Sequence, residues 1–175
     1  MTSEYSQQVR DRVIAQLADS TLGFNAHIAA IAEVHGIRPF ALDFSENSKN
    51  FFETNMDPDE IETSSPLKYP LATLCTVSSN NTHRSMFQTF SGAVNMALTI
   101  YITWATPRAP QNTERLANAV EAAVVRTFCN LDAMGNFTGP VSYDRVLGAS
   151  RTPVQIGGEH WRQPLRFTLS FQLDT

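Results

Sequence analysis

An α+β fold, with antiparallel or mixed strands in one sheet and helices packed on one of its faces, follows from three features of this 175-residue sequence. The stretch "MALTIYITWA" alternates Met96, Leu98, Ile100, Ile102 and Trp104 with Ala97, Thr99, Tyr101 and Thr103. The closing stretch "PLRFTLSFQLDT" opposes Leu165, Phe167, Leu169, Phe171 and Leu173 to Arg166, Thr168, Ser170, Gln172 and Asp174. A period of two marks strands buried on one side only. The third feature is "TERLANAVEAAVVRTFCNL", where Leu116, Ala119, Val120, Ala123, Val124, Phe128 and Leu131 share one helical stripe. Runs of one-sided strands punctuated by helices give two layers, the helices covering one sheet face and leaving the other wet. A single domain over 1–175 is expected, because a chain of this length buries roughly two-thirds of its extended surface in one core.

The N-terminal region, 4–36, reads as helix. Val9, Val13 and Leu17 recur every four residues, "DSTLG" interrupts, and Phe24, Ile28, Ile31 and Val34 resume the spacing. One kinked helix or two are both consistent, with Asp19 or Ser20 as the cap of the second and Gly36, followed by Pro39, as its stop. "FALDFS" alternates Phe40, Leu42 and Phe44, which predicts a first strand over about 40–45. Residues 46–68 lack sustained periodicity and form a long loop, with room for an irregular strand at Phe51 and Phe52. Further strands are expected over about 69–78 (starting at an edge because of Pro70), 93–105, 141–148 and 164–173. The amphipathic helix is expected over about 113–131, capped by Asn112 or Thr113, and Gly157-Gly158 marks a turn before the last strand.

Composition narrows the function classes. The formal net charge of -4 speaks against a general nucleic-acid binder, which ordinarily carries a basic stripe. No run approaches the ~18 apolar residues of a spanning helix, and "MTSEYSQQVRDR" lacks the basic start and apolar core of a signal peptide. Cys75 and Cys129, outside any cysteine framework, are expected as reduced thiols. The acid is unevenly placed. Asp43, Glu46, Glu53, Asp57, Asp59, Glu60 and Glu62 crowd one segment, whereas eight arginines and six acids follow from Arg84 onward. That asymmetry fits either a solvated acidic loop or one edge that pairs with the opposite edge of a second copy.

No catalytic or metal constellation stands out. His27 and His35 lie two turns apart on one helix, ~12 Å along the axis and too far to share a metal. "DPDE" at 57–60 lacks the ligand spacing and glycine of a calcium loop, and "SGAVN" is not a nucleophile elbow. No enzyme activity, cofactor or metal is expected. What does draw notice is the wet face of the long strands, where Thr99, Tyr101 and Thr103 join Thr168, Ser170 and Gln172 almost without lysine or glutamate. Monomers ordinarily guard exposed sheets with charge, so such a surface fits a subunit interface or a channel wall, and equally an ordinary solvated sheet face. Phe51, Phe52, Asp57, Asp59 and Glu60, in the long loop, complete the candidate partner-contact set, and Met86, Phe87 and Phe90 mark a second apolar loop.

The order of these elements resembles the tail terminator and tail-completion (neck) proteins of long-tailed bacteriophages. The likeness rests on an N-terminal helix, "FALDFS", an acidic loop, "TFSGAVNMALTIYITW", a proline-containing break, an Ala/Val-rich helix and the closing "WRQPLRFTLSFQL". The longer 45–66 loop and the extended N-terminal helix depart from the shortest members. The resemblance implies a small α+β subunit of a virion, assembled in the host cytoplasm. Six copies would ring the head-proximal end of the tail, ending growth of the tail tube and joining it to the head–tail connector. Its partners would be its own copies, the tail tube protein and the connector proteins, with DNA passing through the lumen unbound and no membrane involved. The alternatives are another head-completion adaptor ring, or a small binding module or enzyme with a site built from the loops at 46–66, 79–91 and 149–160.

Overall fold

The computed structural model describes residues 2–62, 67–81, 90–104, 110–129, 137, 139–157 and 160–175, and their side chains except those of 2–4, 103–104, 110–112, 155–157 and 160–161. It has the expected α+β architecture. In chain order the elements are α1 (Thr2–Ala18), α2 (Phe24–His35), β1 (Phe51–Phe52), α3 (Pro58–Glu62), β2 (Leu71–Asn81), β3 (Ser91–Trp104), α4 (Pro110–Cys129), β4 (Val141–Arg151), β5 (Gln155–Gly157) and β6 (His160–Asp174). The open sheet runs β1-β2-β3-β6-β4, with β5 also paired to β6. It is mixed, since β1 joins β2 in parallel while every other pairing is antiparallel.

The long amphipathic strands lie side by side at the centre, in register from Ser91 opposite Asp174 to Trp104 opposite Trp161. Their apolar rows bury completely: Met96, Leu98, Ile100, Phe167, Leu169 and Phe171 meet Val9, Val13, Leu17, Ile28, Val120, Ala123, Val124 and Phe128 from the helices. Each such side chain taken out of water contributes about 1.5–3 kcal/mol, so the seam is a large source of stability. A buried polar contact locks the helices together. Gln16, fully buried on α1, donates Nε2 to the Thr127 carbonyl of α4 at 3.1 Å, and the Thr127 hydroxyl donates to Ala123 O at 2.8 Å.

The N-terminal region forms two helices, and Gly23 rather than Asp19 or Ser20 caps the second. A Cβ at Gly23 would lie 2.3 Å from Asp19 O and 2.6 Å from Leu17 O, so only glycine fits this corner. Asp19 instead organises the turn, its carboxylate accepting from the Leu22 and Thr21 N–H groups at 2.8 Å each. Those bonds, Leu22 first, hold its pKa below the ordinary carboxylate value. Gly36, at φ 63, closes α2 as expected. The start of α4 at Pro110 corrects the expected cap at Asn112 or Thr113, since a proline suits a first turn whose N–H groups have no partners. Leu131 and Gly158 lie outside the described residues.

The strand expected over 40–45 does not form. The segment is extended and its alternation is real, Leu42 being buried with Phe40 and Phe44 packed against the core, but its backbone partners are side chains. The Asn25 amide donates to Leu42 O at 2.8 Å and accepts from Leu42 N at 2.9 Å. The Asn50 amide likewise donates to Ala41 O and accepts from Asp43 N, both at 2.9 Å. Two asparagines thus satisfy the groups that a neighbouring strand would have paired. The short strand forms instead at Phe51 and Phe52, opposite Ala72 and Thr73.

Candidate functional site

All the helices that build the core lie on one side of the sheet, so strand parity defines the other side. It carries Thr73 and Cys75 from β2, then Ala93, Asn95, Ala97, Thr99, Tyr101 and Thr103 from β3. From β6 it carries Arg162, Arg166, Thr168, Ser170 and Gln172, and Ser142, Gly148 and Ser150 from β4. Small hydroxyl and amide side chains dominate, and no lysine or glutamate occurs among these described residues. Asp144 belongs to this surface too, its carboxylate accepting from Ser170 Oγ at 2.8 Å and Gln172 Nε2 at 3.2 Å.

Two β-bulges shape the face into a trough. The β2 register shifts between Thr76 and Ser78, and the β4 register shifts between Tyr143 and Leu147, with Arg145 at φ 58. Each shift inserts extra residues and turns the edge. Val77 and Val146 are left 52% and 62% exposed, although ordinary alternation would hide such side chains or replace them with polar ones. They rim one hollow of about 310 Å³ with Ser78, Asn95, Thr168 and Ser170. A second hollow, about 400 Å³, continues between Asn55, Thr73, Cys75, Ala97, Thr99, Tyr101 and Arg166.

One end of the trough is already occupied. Arg162, only 5% exposed, lies on this face, and its guanidinium holds two carboxylates of α3 and its cap. Nη1 approaches Asp57 Oδ1 at 3.5 Å and Nη2 donates to Asp59. Burial opposes the Arg162 charge, but the Asp59 hydrogen bond, Tyr69 and the two carboxylates outweigh it and raise its pKa. Burial first, and then the charge of Asp57, raises the Tyr101 phenol, whose hydroxyl is bonded to Thr73. Asp57 and Glu60 form a reciprocal cap, since the Asp57 carboxylate accepts from Asp59 N and the Glu60 carboxylate accepts from Asp57 N. Pro58 and Ile61 are buried beneath.

The candidate contact residues therefore divide. Thr99 and Tyr101 are half-buried on the open face, and Thr103 occupies the matching register position opposite Arg162, its side chain outside those described. Phe52 shares the side of Thr73 and is half-buried, but Phe51 is a correction. Phe51 points into the helical layer, 6% exposed, with its ring edge-on to Phe44 at 4.9 Å, so it is core and not surface. Phe90 is likewise buried, while Met86 and Phe87 lie outside the described residues. Asp57, Asp59 and Glu60 are engaged within the chain, as are Glu53, paired with Arg10 at 3.4 Å, and Asp43, which accepts from Ser45 N. The acidic segment and the arginine-bearing C-terminal strand thus meet inside one subunit, where the sequence suggested a loop in water or an edge awaiting a copy. Sequence reasoning also missed Arg162, because an arginine on the wet row of a strand looks the same whether solvated or paired.

Among the described residues no three His, Cys, Asp or Glu side chains are grouped to hold a metal, and no helix is long and apolar enough to cross a membrane. His83 falls outside the described residues, as does the side chain of His160, and Asp59 faces Arg162 and Tyr69. No protein-family model and no curated protein matches the chain.

Proposed function

We propose that this chain is a structural subunit that associates with its own copies through the open face of the sheet. The assembly is a closed ring of six copies at the head-proximal end of a long-tailed phage tail, where it ends tube growth and meets the head connector. The observation that carries self-association is the open face itself. A sheet five strands wide, floored by Ala, Ser, Thr and Asn, presents no lysine or glutamate among its described residues to desolvate, and its rim leaves Val77 and Val146 exposed for a partner to cover. The face is also polar end to end, with Arg162 and Arg166 toward one end of β6 and Asp144 beside Ser170 and Gln172 toward the other. A second copy laid along it can bring its Asp144 end to Arg166, while closure into a ring requires a further, different patch on each subunit. The tail assignment rests on the resemblance in element order.

The test is negative-stain microscopy of the purified protein, alone and with phage tail tubes, beside the double variant Thr99→Lys/Thr168→Lys. Rings of the native chain capping one tube end, and loss of rings in a variant with native circular dichroism, are the expected results. Rings that ignore tubes move the assignment to another neck ring. Assembly indifferent to both lysines refutes the face as the contact.

A further inference from the structure

We infer that the segment Glu53–Glu62 is a strap that gates the open face, occupying its Arg162 end in the free subunit and leaving when a second copy docks. This rests on the open face being the association surface. The strap starts on the helical side, where Glu53 pairs with Arg10 of α1, and crosses to the other face, where Asp57 and Asp59 reach Arg162. Its two ends are held unequally. Arg162 is rooted in a central strand and almost wholly buried, whereas Asp57 and Asp59 stay 54% and 57% exposed on a helix of five residues. Water and competing ions therefore reach the carboxylate side of the latch but not the guanidinium side. Beneath these pairs Pro58 and Ile61 hold it by buried side chains, and at its start Gln7 Nε2 also donates to Glu53 Oε2 at 3.5 Å.

What the strap covers is part of what a copy needs. Asn55 lines the same hollow as Cys75, Thr99, Tyr101 and Arg166, so the strap narrows the trough while it is closed. It also cancels the Arg162 charge. Once it is withdrawn, Arg162 and Arg166 together make one end of the face positive, and the Asp144 end of a second copy is the complement. Closed strap and docked copy are competitors for one surface, and a competitor tied to the same chain lowers the apparent affinity by the fraction of time it is open.

Cys75 is the reporter, because it lies in the shared hollow and Cys129→Ser leaves it as the only thiol. In that background, at a dilution where every species is monomeric, Asp57→Asn/Asp59→Asn is expected to speed Cys75 labelling by a chromogenic disulfide about tenfold, an ordinary size for a coupling. The same variant should associate at about tenfold lower concentration in light scattering. Arg162→Met opens the strap from the other side without leaving a buried charge, and serves if the carboxamide variant fails to fold. Unchanged labelling in a folded variant overturns the latch, as does faster labelling with no tighter association. Association that survives Thr99→Lys/Thr168→Lys overturns the face reading instead, while labelling of the monomer reads the strap independently.

Discussion

Asn25 replaced by alanine isolates the device that stands in for a missing strand. The wild-type amide makes two hydrogen bonds to Leu42, at 2.8 and 2.9 Å, and Leu42 is only 2% exposed. Each bond is worth about 0.5–1.5 kcal/mol net, and a buried amide group left without a partner costs about 1–3 kcal/mol. The two figures overlap, because the second includes the loss of the first, so Asn25→Ala should destabilise by about 2–4 kcal/mol. Urea unfolding followed by circular dichroism measures it, as a lower midpoint with an unchanged slope. Asn25→Asp sharpens the argument. Aspartate keeps an acceptor for Leu42 N but presents its other oxygen to the Leu42 carbonyl, so its penalty should shrink as the carboxylate is protonated near pH 4. A loss under about 0.5 kcal/mol for the alanine variant would refute the idea that this side chain does a strand's work.

Two further outcomes follow from the core and from a titrating group. Leu98→Ala, between Leu74 and Phe167 in the central ladder and fully buried, should cost about 2–5 kcal/mol in the same urea assay while leaving the strands paired. His27 has its pKa lowered below 6.5, first by burial and then by the charge of Arg126. Because the unfolded imidazole takes a proton more readily, stability should be full above pH 6.5 and decline as the pH falls below it. His27→Gln should flatten that decline in thermal melts between neutral and mildly acidic pH, and an unaltered slope would count against a buried neutral imidazole.

Periodicity read the burial well and the bonding poorly. The stripe from Leu116 to Phe128 and the alternation of β3 and β6 both turned out to face the core, because apolar spacing reports directly which side of an element meets other side chains. The segment 40–45 shows the limit. Phe40, Leu42 and Phe44 alternate as a strand would, yet what pairs their backbone is decided by Asn25 and Asn50, which lie up to 17 positions away. The site was half legible. Thr99 and Tyr101 announced a low-charge face, but nothing local distinguishes Phe51, which turns inward, from Phe52, which does not. The pairing of Asp59 with Arg162 spans 103 positions, and no window of sequence contains both. The bulges at Val77 and Val146 also lack a local signal, since neither carries a glycine and Arg145 adopts its positive φ without one.

The central place of β6 has a consequence for how the subunit is made. This strand lies between β3 and β4, yet it is synthesised after both. While the nascent chain is still short of residue 160, β3 has a neighbour on one side only and β4 has none, so the sheet cannot close during translation of its earlier strands. Pairings of this long sequence separation are slow to form. The same strand supplies Arg166, Thr168 and Ser170 to the two hollows, and Arg162, the partner of Asp57 and Asp59. A chain that stops short of residue 160 lacks both the β6 rows of the open face and the Arg162 partner of Asp57 and Asp59. On the proposed reading, competence to join other copies arrives only with this strand.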